Sequence, residues 1–230
     1  MVLSKHVHRE VHRRRCPVDA QPYRQSPGRS LSLSVVGCAT EGEGVMKRHT
    51  SYADRSLVFI GIETSGLNPD RHEITEIAAF RNGVWFHRRV RMLAPENADP
   101  KALELNGYDA ALWEEDAIHP WKATAELNGF VQPGDMLVFH NSSFDLPFLR
   151  KAGFASAADY HPLDTASMAW PLVVAGKLKS IKLAALCDYF GVSNEGAHGA
   201  RRDVERLMEV YLRLMSYKGV HREEVSARGV

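Results

Sequence analysis

Leu57-Val58-Phe59-Ile60 is the stretch around which this chain has to fold: four apolar residues in a row, two of them β-branched. Such a run reads as a strand buried on both faces. It continues through Gly61 and Ile62 to Glu63, and Thr64-Ser65-Gly66 ends it as a turn. A carboxylate at the end of a buried strand is costly unless something pairs with it. Alone, Glu63 reads as a half-exposed strand end. Two distant segments change that. His140-Asn141-Ser142-Ser143-Phe144-Asp145 follows a second apolar run, Met136-Leu137-Val138-Phe139. His198-Gly199-Ala200-Arg201-Arg202-Asp203 opens the last long helical pattern. Glu63, Asp145 and Asp203, each beside a strand end or a helix start, make a set of hard oxygen ligands suited to a divalent cation.

These three segments, in this order, resemble the DEDDh 3'-5' exonucleases, the proofreading-exonuclease and RNase T-like family of the ribonuclease H-like superfamily. That family carries D-x-E-T-T-G, then H-N-x-x-F-D, then H-x-x-x-x-D. The resemblance runs from Leu57 to Leu214 and departs at one place: Gly61 stands where the family has its first aspartate. It implies a mixed five-stranded sheet flanked by helices. It also implies hydrolysis of phosphodiesters at single-stranded DNA or RNA 3' ends by a two-metal-ion mechanism using Mg²⁺ or Mn²⁺. On this resemblance Glu63, Asp145 and Asp203 are metal ligands and Glu63 is also catalytic. His198 takes the proton from the attacking water, a role suited to a near-neutral imidazole. Thr64, Ser65 and Asn141 fall at substrate-contact positions, and Asp164 supports the site from outside. The implied partners are nucleic-acid 3' ends and a DNA polymerase.

Gly61 removes the carboxylate that in the family bridges both ions. A metal ion's Lewis-acid effect is worth several kcal/mol; losing ~4 kcal/mol slows a reaction about a thousand-fold. The expectation is therefore a weakened exonuclease, with one metal retained as the limiting case. The alternative is a catalytically silent nucleic-acid-binding or polymerase-associated module. Glycine weakens a strand interior, so strand stability gives no reason for it, and Gly61→Asp is expected to raise the rate by orders of magnitude.

The remaining elements follow from local patterns. Glu73 to Phe80 reads as a strand, Asn82-Gly83 as a two-residue hairpin turn and Val84 to Met92 as the partner strand. Glu73 and Glu76 read as surface charges. His87, Arg88, Arg89 and Arg91 read as a solvated face, with phosphate contact as the other option. Asp99-Pro100 looks like a helix cap followed by proline at the first helical position. Ile118 to Val131 has helical spacing at Trp121, Ala125, Leu127 and Phe130. Ser142 or Ser143 caps the helix holding Asp145, with Pro147 in its first turn. A helix runs from Ala166 to Ala175, and another from Leu183 to Phe190 is stopped by Gly191. Ala200 to Met215 is amphipathic, with Val204, Leu207, Met208, Tyr211, Leu212 and Leu214 apolar.

Residues 1–53 read as disordered, 54–217 as the exonuclease domain and 218–230 as a flexible tail. Up to position 45 there are seven basic and four acidic residues. A basic arm and a transit peptide are both open readings. A translated leader is favoured, because Glu41-Gly42-Glu43-Gly44 needs purine-rich codons like those of a bacterial ribosome-binding site, directly before Met46. The net charge of +1 gives no global pull toward nucleic acid, so any contact must come from local patches. Cys16, Cys38 and Cys187 are too far apart for a ligand or disulfide framework, which fits a reducing, cytoplasmic location. No apolar run approaches the ~20 residues needed to span a bilayer.

Overall fold

The computed structural model describes residues 55–156, 158 and 161–217. The readings for residues 1–53 and 218–230, the Met46 start among them, lie outside the described residues. Five strands form one mixed sheet: β1 (Leu57–Thr64), β2 (Ile74–Arg81), β3 (Val84–Arg89), β4 (Met136–Phe139) and β5 (Leu163–Asp164). Their order is β3-β2-β1-β4-β5. The β1–β2 and β2–β3 pairs are antiparallel, while β4 runs parallel to β1 and β5 parallel to β4. The hairpin turn has Asn82 at φ 46° and Gly83 at φ 83°. Two consecutive left-handed residues are what a two-residue type I′ turn requires. β3 stops at Arg89, and Val90 then bridges to Ile118.

The two-residue period of β1 serves two cores at once. Val58, Ile60 and Ile62 join one core with Ile77, Leu127, Phe139, Phe148 and Leu149. Phe59 packs on the opposite side with Ala78, Val138 and the residues Val204, Leu207 and Tyr211 of the long C-terminal helix. Gly61 and Glu63 share that second side. Burying both faces explains why the run is continuously apolar rather than alternating.

Eight α-helices accompany the sheet among the described residues: α1 (Pro100–Leu105), α2 (Ala110–Asp116), α3 (Pro120–Phe130), α4 (Ser142–Lys151), α5 (Thr165–Met168), α6 (Trp170–Val174), α7 (Leu183–Phe190) and α8 (Ala200–Ser216). Asp99 caps α1 by accepting from the Lys101 amide at 3.0 Å. Gly191, at φ 69°, ends α7. Among the described residues, no helix is long and apolar enough to cross a membrane.

Several local expectations are corrected. The stretch after Asp164 is two short helices meeting at Ala169, not one. The cap of α4 is Asn141, so Pro147 lies inside the helix rather than in its first turn. The buried face of α3 is Ala123, Thr124 and Leu127, whereas Trp121 is 63% exposed. On α8, Leu212 is 62% exposed and Arg206 only 2%. The basic residues of β3 are largely paired within the molecule. Arg88 meets Glu126 at 2.7 Å, and Arg89 meets Asp116 at 3.2 Å while lying over the Trp113 ring. Glu73 is not a free surface charge either: its Oε2 accepts from the Leu93 and Ala94 amides, both at 2.9 Å.

Asp135 ties the far end of β2 to the start of β4. It accepts from Arg81 Nε at 2.7 Å and Nη2 at 3.1 Å, and from the Gln132 amide at 2.7 Å. Asp135→Ala leaves those donors without their partner. It is expected to lower the unfolding free energy by about 1–3 kcal/mol, read from the urea midpoint. An unchanged midpoint contradicts this account.

Candidate active site

β1 and β4 are parallel neighbours, so both chains leave the sheet at the same end, where ligands of open sheets bind. Glu63 sits at that end of β1. His140 follows β4, and Asp145 comes one turn into α4. Asp203 lies in the first turn of α8, which packs on the same side of β1 as Glu63. Gly61, Glu63, His140, Asp145 and Asp203 line a single cavity of about 220 Å³. Three segments far apart in the chain thus bring their carboxylates to one place.

The electrostatics there are unbalanced. Burial, with Asp203, Glu76 and Asp145 adding negative potential and Arg206 opposing, pushes the Glu63 carboxyl up to about 8. Burial likewise holds Asp145 well above the usual carboxylate range, against hydrogen bonds with the backbone of Asp145 itself and Ile62. Asp203 is better matched. Its Oδ1 accepts from Arg206 Nη1 at 2.7 Å and from the His198 amide at 3.2 Å. The other arm of Arg206 reaches Asn194 Oδ1 at 2.5 Å.

The donor set fits a hard divalent cation: carboxylate oxygens, two of them on buried side chains whose charge calls for a cation. The set does not close into a finished cage. Among the described residues, no three His, Cys, Asp or Glu side chains are grouped so as to hold an ion. Asp203 is engaged by Arg206 instead.

The other expected residues fall as follows. His198 is exposed, has left-handed backbone at φ 70° and does not line the cavity; its amide is the group that meets Asp203. Asn141 is also left-handed, at φ 67°, a conformation that asparagine tolerates better than most residues. The Asn141 side chain accepts from Ser143 Oγ at 2.8 Å rather than bonding the backbone. Asn141 borders a second cavity of about 310 Å³ with His140 and Lys182. Thr64 and Ser65 are buried, and their hydroxyls are used inside the turn. Thr64 Oγ1 donates to the Gly66 carbonyl at 2.7 Å, and Ser65 Oγ accepts from the Glu73 amide at 2.9 Å.

Asp164 supports the site by holding the start of α4. It accepts from the amides of Asn141, Ser142 and Ala166 at 3.0, 2.8 and 2.9 Å. Burial would raise its carboxyl, but these hydrogen bonds prevail and hold it below the usual range. His140 meets Thr165 Oγ1 at 2.9 Å, and burial lowers its imidazole.

Two residues escaped the sequence. Glu76, expected on the surface, is 9% exposed. It stands opposite Glu63 across the β1–β2 pair. One of its oxygens meets His87 Nε2 at 2.5 Å, and the other accepts from the Ala200 amide at 2.8 Å, at the start of α8. Burial opposes ionisation of Glu76, yet these contacts keep it below its ordinary value. The second is Arg206, hidden in a helix whose apolar stripe drew attention elsewhere.

The family model described as Exonuclease (RNase_T) matches residues 58–211. Ribonuclease T of Shewanella denitrificans is 27% identical over 187 residues, which cover 69% of this chain and 80% of that protein. DNA polymerase III subunit epsilon of Rickettsia conorii is 30% identical over 169 residues, covering 69% of this chain and 73% of that one. Among solved structures, E. coli exonuclease I in complex with a dA16 oligonucleotide has the same fold, with a TM-score of 0.59 over 75% of this chain at 16% identity. This chain spans 42% of that longer protein. The matched span holds β1, the hairpin, β4 and α8 up to Tyr211, and with them all three motif segments: the chain belongs to the exonuclease family typified by RNase T.

Proposed function

We propose that the chain is a 3'-5' exonuclease acting at single-stranded DNA or RNA 3' ends, with a divalent cation such as Mg²⁺ or Mn²⁺ held by Glu63, Asp145 and Asp203. The observation that carries this is the convergence of those carboxylates on one cavity, two of them buried. Family membership supports it, as do relatives named ribonuclease T and DNA polymerase III subunit epsilon and the fold shared with an oligonucleotide-bound exonuclease I. Association with a DNA polymerase and action in the cytoplasm belong to the same proposal, the first supported by the epsilon relative.

When bound, the cation supplies charge stabilisation for the phosphoryl oxygens and lowers the pKa of the attacking water. The chain does the rest. Glu63, Asp145 and Asp203 would hold it, Glu63 releasing its proton as it does so and Asp203 sharing its carboxylate between the ion and Arg206. His198 accepts the proton of the attacking water. Its strained backbone beside Asp203 is the kind of outlier that clusters at working sites. Thr64 and Ser65 spend their hydroxyls on the turn, so they act by fixing the end of β1 beside the terminal nucleotide rather than by bonding it through those groups. Asn141 and Lys182 offer an amide and a positive charge along the neighbouring cavity.

A silent binding module is the second reading, favoured by Gly61 and by the Asp203–Arg206 pair. A 3'-labelled single-stranded oligonucleotide separates the two. Mg²⁺- or Mn²⁺-dependent release of mononucleotides is expected, reduced at least a hundred-fold in Asp203→Asn. Binding of the strand without release under either ion establishes the module instead.

Glu63 gives a pH test with a definite sign. Below about 8 its carboxyl is protonated and the cation must displace that proton. The apparent Kd for Mn²⁺ should therefore rise at least tenfold for each pH unit below that value, with any proton displaced from Asp145 adding to the slope. A Kd that is flat from pH 6.5 to 8.5 contradicts this. Without cation, the unfolded chain ionises Glu63 from its ordinary 4.5 while the folded chain keeps the proton up to about 8. Stability should fall as pH rises across that window. The loss should be smaller in Glu63→Gln, as measured by thermal melts in chelator. Equal pH slopes for the two proteins would falsify the assignment.

A further inference from the structure

We propose that Val204 of α8 confines this centre to a single divalent cation, and that Arg206 of the same helix weakens its hold on that ion. Val204 closes the place of a first-motif carboxylate, and Arg206 is a fixed positive charge that offsets one of the three carboxylates present. This rests on the metal-dependent reading above.

The backbone at Gly61 does not demand glycine, since it lies outside the left-handed region. What surrounds it favours glycine. A Cβ at position 61 would lie 3.1 Å from Val204 Cγ2 and 3.6 Å from the Ala200 carbonyl oxygen. The first distance is shorter than ordinary van der Waals contact. Val204 is fully buried among Phe59, Ala78, Val138 and Leu207. A valine within a helix has one strongly preferred rotamer, so relief has to come from a shift of a few tenths of an ångström in the packing around it. Close approach of a neighbouring backbone is a recognised reason for glycine inside a strand, and here it replaces the expectation that nothing structural accounts for Gly61.

Arg206 contributes independently. It is 2% exposed, always charged, and clamped between Asp203 and Asn194. Glu63, Asp145 and Asp203, once ionised, carry three negative charges, and Arg206 offsets one of them. One divalent ion balances what remains. A second would be left without a matching carboxylate, because position 61 supplies none.

The test counts ions. Mn²⁺ binding to the full chain is measured by calorimetry and by electron paramagnetic resonance of the free ion at pH 8.5. One ion per chain is expected for the wild type, for Gly61→Asp and for Val204→Ala. Two are expected for Gly61→Asp/Val204→Ala, together with mononucleotide release at least a hundred-fold above wild type. The orders-of-magnitude gain expected from Gly61→Asp alone should then be absent. Arg206→Gln should tighten the first Mn²⁺ at least fivefold. Two ions in the wild type or in Gly61→Asp alone overturn the proposal, and the wild-type count needs no variant to fold. A double variant that still binds one ion removes the role of Val204, and unchanged affinity in Arg206→Gln removes that of Arg206. No ion in any protein overturns the metal-dependent reading and this proposal together, an outcome distinct from a count of two.

Discussion

The constraint on which the rest depends is the desolvation of negative charge where β1 leaves the sheet. Glu63 and Asp145 are both under 10% exposed, and a buried carboxylate is tolerated only if it is paired, hydrogen-bonded or neutralised by a proton. The fold uses each of these devices in one small volume. Arg206 pairs with Asp203, hydrogen bonds hold Asp164 and Glu76 ionised, and burial favours the protonated forms of Glu63 and Asp145. In a domain stabilised by only ~5–15 kcal/mol, such a cluster is hard to explain by stability alone. Work at the site explains it better.

The two helices that carry Asp145 and Asp203 are positioned in the same way. Each begins with amides that have no partner inside the helix, and each is met by a carboxylate from elsewhere in the sheet. Asp164, at the end of β5, takes the Ser142 amide of α4; Glu76, within β2, takes the Ala200 amide of α8. Negative charge at a helix N-terminus is favourable, so these anchors cost little. They fix where each helix starts relative to the sheet, and hence how far Asp145 and Asp203 stand from Glu63. His87 backs Glu76 from the edge strand, so the anchoring extends across three elements.

Much of this was legible in the chain. The apolar run into Glu63, the Asn82-Gly83 turn, the Asp99 cap and the Gly191 stop are local signals, and local chemistry decides them. The convergence of Glu63, Asp145 and Asp203 is not local; it came from the resemblance of three ordered motifs. Glu76 was misread because a glutamate on a strand ordinarily points to water. Its burial depends on α8, contributed more than a hundred residues later. The antiparallel register that sets Glu76 opposite Glu63 was the available clue. Arg206 was missed because charge outweighed periodicity: it lies three residues after Asp203 and four before Val210, on a buried stripe. Pro147 was misplaced by the choice of cap, since a left-handed Asn141 moved the helix start.

The borders of the sheet carry a consequence of their own. At one side β5 is only two residues long, too short to template another strand. At the other, β3 presents arginines whose partners lie on α2 and α3, so flanking helices reach over that border. Short or charged outer strands oppose strand-to-strand association between molecules. Within the described residues, the continuously apolar central strand lies inside borders that oppose pairing with a strand of another molecule.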